Sequence, residues 1–354
     1  MQKSLSEMAG FMQKLLPPEM PDLFGIDPCF LCVSDEDNIR NGIHGFRDFM
    51  YRIYDRLMTS GESYDKPRKE AHEFADGVNI SEAYPFMSNI AVILTNMGVH
   101  GIFNDTGDTL LLEGIECLTA SNAVSNTKIS DVRKLECLRF LMDCGMCFGG
   151  IDISGKKPVL TSVPMAVSFP ENPVMLTGMK VMALAQQNLA NKFIADIILR
   201  CDYRVLAKKE IEILLLLKDL LHHQPENLRK FVLKLHSDYI ALGYKFESRV
   251  SNNVIFTYFC RRKELWRLNL SINNGLNITI KALNTEKYPD MIATFPKWLQ
   301  DKIAVGYGCG KKMGITSSCD GGCRGYRIPL DDASMETCGV INEWINKEVS
   351  CIQK

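Results

Sequence analysis

The sequence predicts an α+β protein with two folded domains and a cysteine-rich tail. Three observations carry this prediction: helical segments with regular apolar faces, four consecutive segments of alternating apolar and polar residues, and thirteen cysteines. A helical face repeats about every 3.6 residues, whereas a half-buried strand repeats every second residue. Since 354 residues suffice for two or three domains, we expect a mixed N-terminal domain over 1–204, a helix–meander–helix domain over 205–305, and a tail over 306–354 that docks on the second domain.

The composition is that of a globular protein able to bury real cores. Hydrophobic residues make up 46% of the chain and the net charge is −1, so no global field attracts nucleic acid or an anionic membrane. The first residues lack the apolar core of a signal peptide, and no apolar run has membrane-spanning length. We therefore expect a cytoplasmic protein with no membrane association, in which cysteines stay reduced.

Helical patterns alternate with short extended ones in the first 204 residues. Residues 4–16 carry an apolar stripe, and we expect it to pack on its own domain rather than on a partner. Ser34, followed by three acidic residues, marks the start of a long helix. Three glycines are expected to end helices in the left-handed conformation and to lead into strands: Gly98, Gly145 and Gly243.

Four strands are predicted after Gly243, where the apolar period changes to two. In the third strand, for example, Trp266, Leu268 and Leu270 alternate with polar residues. Asn274-Gly275 precedes the fourth strand and favours a two-residue hairpin turn, because both positions of that turn need positive φ. We expect a four-stranded antiparallel meander flanked by helices, with one face covered and the other open to solvent.

A helix, Gly243, four strands and a further helix follow one another over residues 226–303. This order, together with the stretches Tyr258-Phe-Cys-Arg-Arg-Lys-Glu-Leu-Trp266 and Lys287-Tyr-Pro-Asp290, resembles small bacterial domains of the YdhG/YjbR type. Most domains of that type have no assigned function. The resemblance implies a helix-flanked antiparallel sheet and transfers no functional residue to this chain.

Four cysteines between residues 306 and 338 are the candidate metal ligands. The segment is rich in glycine and poor in apolar residues, so burial alone would not hold its shape. Zinc binds thiolates tetrahedrally, and the neighbouring glycines let the backbone turn these thiols inward. The last cysteine lies near the start of a helix, whose dipole favours a thiolate. The sequence predicts structural zinc, with a redox pair or ordinary reduced thiols as alternatives, on Cys309, Cys319, Cys323 and Cys338.

Two C-x-x-C pairs occur elsewhere, Cys29/Cys32 and Cys144/Cys147. A redox pair needs its attacking thiol at a helix N-terminus. Cys144 instead follows a helical pattern, so redox catalysis at that pair is disfavoured. The four thiols could form one metal site only if the fold brought the two distant pairs together.

Basic side chains on the predicted open sheet face are the candidate ligand-binding residues. Arg249, Arg267 and Lys281 could hold a small acidic or phosphate-bearing ligand, or nucleic acid. Glu247 and Glu264 dilute the positive charge, so a solvated face is the alternative.

Standard catalytic signatures are absent from the sequence: it has no Walker loop, no G-x-S-x-G and no H-E-x-x-H. Asp105-Thr106-Gly107 occurs once and is interpreted as a turn. The sequence therefore favours a non-catalytic binding or regulatory protein with a zinc-stabilised C-terminal loop. The alternatives are an enzyme with an inter-domain site and a cysteine nucleophile, Cys319 or Cys323, and ligand binding by the basic sheet face.

Overall fold

The structure of the chain is a computed structural model with mixed helices and antiparallel sheets, as predicted. Two compact units form, Met1–Leu220 and Leu221–Lys354. Among the described helices, none combines the length and the apolar character needed to cross a membrane. The structure describes residues 3–64, 73–74, 77–78, 83–120, 129–189, 197–207, 213–250, 253–305, 325–330 and 334–353.

Helices form most of the N-terminal unit. They are α1 (Leu5–Gln13), α2 (Glu36–Ser60), α3 (Pro85–His100), α4 (Asp131–Asp143), α5 (Met175–Leu189), α6 (Ile197–Arg200) and α7 (Ile213–Leu220). The apolar stripe of α1 is buried and packs on α2, as expected. The long helix α2 begins one residue later than predicted, with Asp35 rather than Ser34 as the capping residue.

Short antiparallel strands complete the N-terminal unit. They are β1 (Glu73–Phe74), β2 (Gly77–Val78), β3 (Ile102–Phe103), β4 (Thr109–Leu112), β5 (Cys147–Gly149), β6 (Ile151–Asp152), β7 (Val159–Leu160) and β8 (Met165–Ser168). The order β3-β4-β8-β5 makes one sheet, and β1-β2 and β6-β7 are separate pairs. Asp105-Thr106-Gly107 forms the turn between β3 and β4, with Gly107 at φ +74°.

The core of this unit lies where α5 packs on α2 and α3. A Cβ at Gly178 would lie 2.0 Å from the Gly42 carbonyl oxygen, so both glycines are needed for the close approach of α2 and α5. Gly98 has a similar role. It lies inside α3 rather than at its end, and a Cβ there would lie 2.4 Å from that of Ala183. The prediction that Gly98 ends a helix is therefore wrong, whereas Gly145 and Gly243 have the predicted positive φ.

The described part of the C-terminal unit is an antiparallel sheet with four α-helices. The strands are β9 (Lys245–Val250), β10 (Val254–Cys260), β11 (Lys263–Ser271), β12 (Gly275–Ile280) and β13 (Tyr326–Pro329), in the order β13-β12-β11-β10-β9. The helices are α8 (Glu226–Ala241), α9 (Pro289–Ile292), α10 (Lys297–Val305) and α11 (Met335–Gln353).

Two details of the predicted meander are wrong. The sheet has five strands rather than four, because β13 returns to pair with β12, with Tyr326 opposite Ile280. The two-residue hairpin turn lies at Arg261-Arg262, at φ +47° and +67°, and not at Asn274-Gly275. There, Ser271 pairs with Gly275, which leaves a three-residue loop before a left-handed glycine.

Aromatic side chains fill the space between the sheet and α8. Tyr258 stacks on its cross-strand neighbour Trp266 with ring centroids 3.7 Å apart. Tyr239 of α8 meets the Trp266 ring edge-on, and His236 Nδ1 lies 2.8 Å from the Tyr258 hydroxyl oxygen. All four side chains are buried, so this cluster fixes α8 on the sheet.

The last helix is fixed by a buried carboxylate. Glu348 is fully buried and accepts hydrogen bonds from the backbone N–H groups of Leu283 and Asn284, at 3.2 and 3.0 Å, and from the Tyr288 hydroxyl. Trp344 donates its indole N–H to the same Tyr288 oxygen at 3.0 Å. Burial, with the hydrogen bond to Glu348, raises the pKa of Tyr288. The network therefore joins α11 to the segment that follows β12.

Candidate functional site

Cys338 is the one predicted zinc ligand that the structure describes. It lies in the first turn of α11, where its N–H donates to the Ser334 carbonyl oxygen at 3.0 Å. Only 2% of Cys338 is exposed, and burial raises the pKa of its thiol. The helix dipole was predicted to favour the thiolate form of Cys338, whereas burial favours the neutral thiol. This thiol therefore stays neutral unless a cation replaces its proton.

The other three predicted ligands, Cys309, Cys319 and Cys323, lie outside the described residues. The zinc site therefore stays a prediction. Within the described part of the chain, no group of three or more His, Cys, Asp and Glu side chains is placed to hold a metal ion.

A hydrogen bond joins the residues on either side of the segment 306–324. Lys302, in the last turn of α10, donates a hydrogen bond to the Arg327 carbonyl oxygen of β13. Gly325 precedes β13 at φ +78°, and a Cβ there would lie 2.8 Å from the Ile280 carbonyl oxygen. The chain is thus fixed at α10 before this segment and at Gly325, against β12, after it.

The predicted basic residues of the sheet are unequally accessible. Arg249 is exposed on β9, whereas the side chains of Arg267 and Lys281 are only 21% and 13% exposed. Arg267 makes a two-point ion pair with Glu264, with Nε to Oε1 at 2.7 Å, and Lys281 Nζ lies 4.0 Å from the same oxygen. One carboxylate thus partly neutralises two of the three predicted cations, and ligand binding by them stays a prediction.

Arg327 is a further cation on this face that the sequence analysis missed. The register places Arg267, Thr279 and Arg327 directly opposite one another on β11, β12 and β13, so their side chains leave the same face. Arg327 also donates to the Asn274 side-chain oxygen at 3.0 Å. Arg327 belongs to this face only because residues 326–329 form the fifth strand. Predicting a strand in that stretch would therefore have identified Arg327.

The centre of the polar face is buried, contrary to the prediction of a face open to solvent. Asn269, Asn277 and Thr279 are each less than 5% exposed. Asn269 Nδ2 donates to Asn277 Oδ1 at 3.1 Å and to the Thr279 hydroxyl at 3.3 Å. These bonds satisfy the Asn269 side-chain N–H groups, whereas its side-chain oxygen is buried without a hydrogen-bond partner in the described part of the chain.

The two C-x-x-C pairs do not form a joint metal site, since all four thiols are described and no such group of ligands exists among them. Cys144 caps the C-terminal end of α4, is 1% exposed, and burial raises its pKa to about 12. Cys147, in contrast, is exposed on β5. Redox chemistry at Cys144 is disfavoured as predicted, with burial as the main cause.

A surface groove of about 710 Å³ lies in the N-terminal unit beside α4. Its charged side chains already have structural partners. Arg139 donates to the carbonyl oxygens of Ile153 and Gly155, and Asp143 pairs with Arg56 at 2.9 Å. The Arg139 contacts hold the β6–β7 region to α4, and the Arg56–Asp143 pair holds α2 to α4, so the groove follows from packing of the fold.

The chain matches no protein-family model, no curated protein and no solved structure. The resemblance of residues 226–303 to YdhG/YjbR-type domains therefore stays a prediction.

Proposed function

We propose that the protein is a non-catalytic, cytosolic binding or regulatory protein whose C-terminal unit is closed by zinc on Cys309, Cys319, Cys323 and Cys338. The contact between Lys302 and the Arg327 carbonyl oxygen supports the proposal most strongly. It joins the residues on either side of the segment 306–324, whose sequence is rich in glycine and cysteine and poor in apolar side chains. Ordering such a loop costs conformational entropy that burial cannot offset, whereas thiolates on a metal ion can.

Chain geometry allows Cys323 and Cys338 to share an ion. Tyr326 and Trp344 are packed with ring centroids 5.1 Å apart. Cys338 is six residues before Trp344 in α11, about 9 Å along the helix axis. Cys323 is three positions before Tyr326 in sequence, a span of at most about 11 Å. These chain lengths are compatible with one ion bound by both thiols.

Elemental analysis of protein purified without chelator tests the zinc proposal. We expect about one zinc per chain, and its loss in Cys338→Ser. Cys351→Ser is the matched control, because Cys351 lies in the same helix and outside the proposed ligand set. Less than about 0.2 zinc per chain, or equal retention by both variants, would overturn the proposal, given the affinity of structural zinc sites.

A second candidate function is binding of a phosphate-bearing polyanion by the basic sheet face. The observation that favours it is the exposed Arg249, which lies on the same sheet face as the partly exposed Arg267 and Arg327. Retention on heparin at low salt is the test. Arg249→Ala should lower the salt concentration needed for elution, whereas Lys230→Ala, at an exposed ion pair of α8, should not. Absence of retention at low salt would exclude this function.

A further inference from the structure

The Cys29/Cys32 pair differs from the Cys144/Cys147 pair in its exposure to solvent. Both Cys29 and Cys32 are exposed, whereas Cys144 of the other pair is buried with a raised pKa. An attacking thiol must be reachable and must become a thiolate. The first pair meets the requirement of access.

The backbone around Cys29 and Cys32 places the two residues at disulfide distance. A short 3₁₀ helix covers Pro28–Phe30, and the turns continue, with Leu31 N–H bonded to the Pro28 carbonyl oxygen and Val33 N–H to that of Phe30. In such turns residues three apart lie above one another, separated by about 6 Å. Disulfides span Cα separations of about 4.4–6.8 Å. The Cys32 thiol already donates to the Cys29 carbonyl oxygen at 3.1 Å.

This turn is anchored on both sides, so bond formation needs little rearrangement. The Asp27 carboxylate accepts a hydrogen bond from the Cys29 N–H at 2.9 Å, and the Asp27 N–H donates to the Leu206 carbonyl oxygen at 2.7 Å. Phe30, between the two cysteines in sequence, is only 5% exposed, so its buried side chain anchors the turn in the unit. Both cysteines are thus exposed residues on an anchored turn.

We propose that Cys29 and Cys32 form a thiol–disulfide exchange site for small disulfides of the oxidised glutathione class. One thiolate of the pair attacks one sulfur of the disulfide, which forms a mixed disulfide and releases one thiolate. The second thiolate of the pair then attacks the protein sulfur of the mixed disulfide, forms the Cys29–Cys32 bond and releases the second substrate thiolate. The substrate disulfide is reduced to two thiols, the protein dithiol is oxidised, and the two protons lost by the protein pass through solvent to the products.

Oxidised glutathione added to the reduced full-length protein tests the site, with alkylation and mass mapping of each cysteine. We expect an intramolecular Cys29–Cys32 disulfide while Cys144 stays a thiol. Cys29→Ser and Cys32→Ser should each stop at a mixed disulfide on the remaining sulfur of the pair. Mixed disulfides on both sulfurs of the wild-type pair without the intramolecular bond, or a reaction of the pair no faster than that of Cys144, would overturn the proposal.

Discussion

Lys302 donates a hydrogen bond to the carbonyl oxygen of Arg327 and thereby joins the last turn of α10 to strand β13. Lys302 is partly buried, and burial lowers the pKa of its ammonium. The two residues flank the segment that carries three of the four cysteines proposed to bind zinc. The contact therefore holds together the two parts of the C-terminal unit between which that segment runs.

Lys302→Met should lower the free energy of unfolding of the C-terminal unit by about 1.5 kcal/mol, because the Arg327 carbonyl oxygen loses a charged donor. Urea unfolding followed by tryptophan fluorescence measures it, since all three tryptophans, Trp266, Trp298 and Trp344, belong to this unit. Lys297→Met is the control, because Lys297 pairs with Asp301 at the surface and should matter by less than about 0.5 kcal/mol. Equal effects of the two substitutions would contradict the role of Lys302.

Two glycine substitutions near the same segment should have opposite effects. Gly325→Ala should destabilise the unit by about 2 kcal/mol, because Gly325 has φ +78° and its Cβ would press on the Ile280 carbonyl oxygen. Gly339→Ala should stabilise it by about 0.5–1 kcal/mol, since Gly339 is an exposed residue inside α11 with open space around it. The same urea titration compares them, and tolerance of alanine at 325 would count against the geometry of the return into β13.

Removal of the Glu348 carboxylate should be costly. Glu348→Ala should destabilise the C-terminal unit by about 3 kcal/mol or more, because the N–H groups of Leu283 and Asn284 and the Tyr288 hydroxyl lose their acceptor. Glu343→Ala, at an exposed position of the same helix, should change stability by less than about 0.5 kcal/mol. A similar small change at Glu348 would show that α11 is held in another way.

His236 should make the stability of the C-terminal unit depend on pH. Burial lowers its pKa, so the folded state holds the neutral ring while the unfolded state takes up a proton near pH 6.5. Stability should therefore be fully present above that pH and fall below it, by up to about 1.4 kcal/mol per pH unit. His236→Gln should remove this part of the slope, and His100→Gln, at an exposed histidine, should not. Identical slopes in wild type and His236→Gln between pH 7 and 5.5 would disprove the assignment.

The four long strands and the buried face of α11 could be predicted from the sequence because each pattern is local. The alternation of Trp266, Leu268 and Leu270 and the helical spacing of Ile341, Trp344 and Ile345 report burial directly. Such patterns need no knowledge of the partner surface.

Features that depend on distant partners could not be predicted in this way. β13 has only four residues and is recognised by its pairing with β12. Gly98 resembles a helix end in sequence. In the structure it lies inside a helix, and glycine is needed there because a Cβ would lie 2.4 Å from the Cβ of Ala183 on another helix. Glu348 occupies the apolar face of α11, and its partners Leu283 and Asn284 precede it by more than sixty residues. Long-range contacts of this kind are set by tertiary packing.

The central claim is that sulfur ligands on zinc close the segment between α10 and β13. X-ray absorption at the zinc edge of the purified full-length protein tests it most directly. The proposal predicts one zinc per chain with four sulfur ligands at about 2.3 Å, and fewer sulfur ligands in Cys338→Ser. A zinc ion coordinated mainly by nitrogen or oxygen, or no stoichiometric zinc at all, would contradict it.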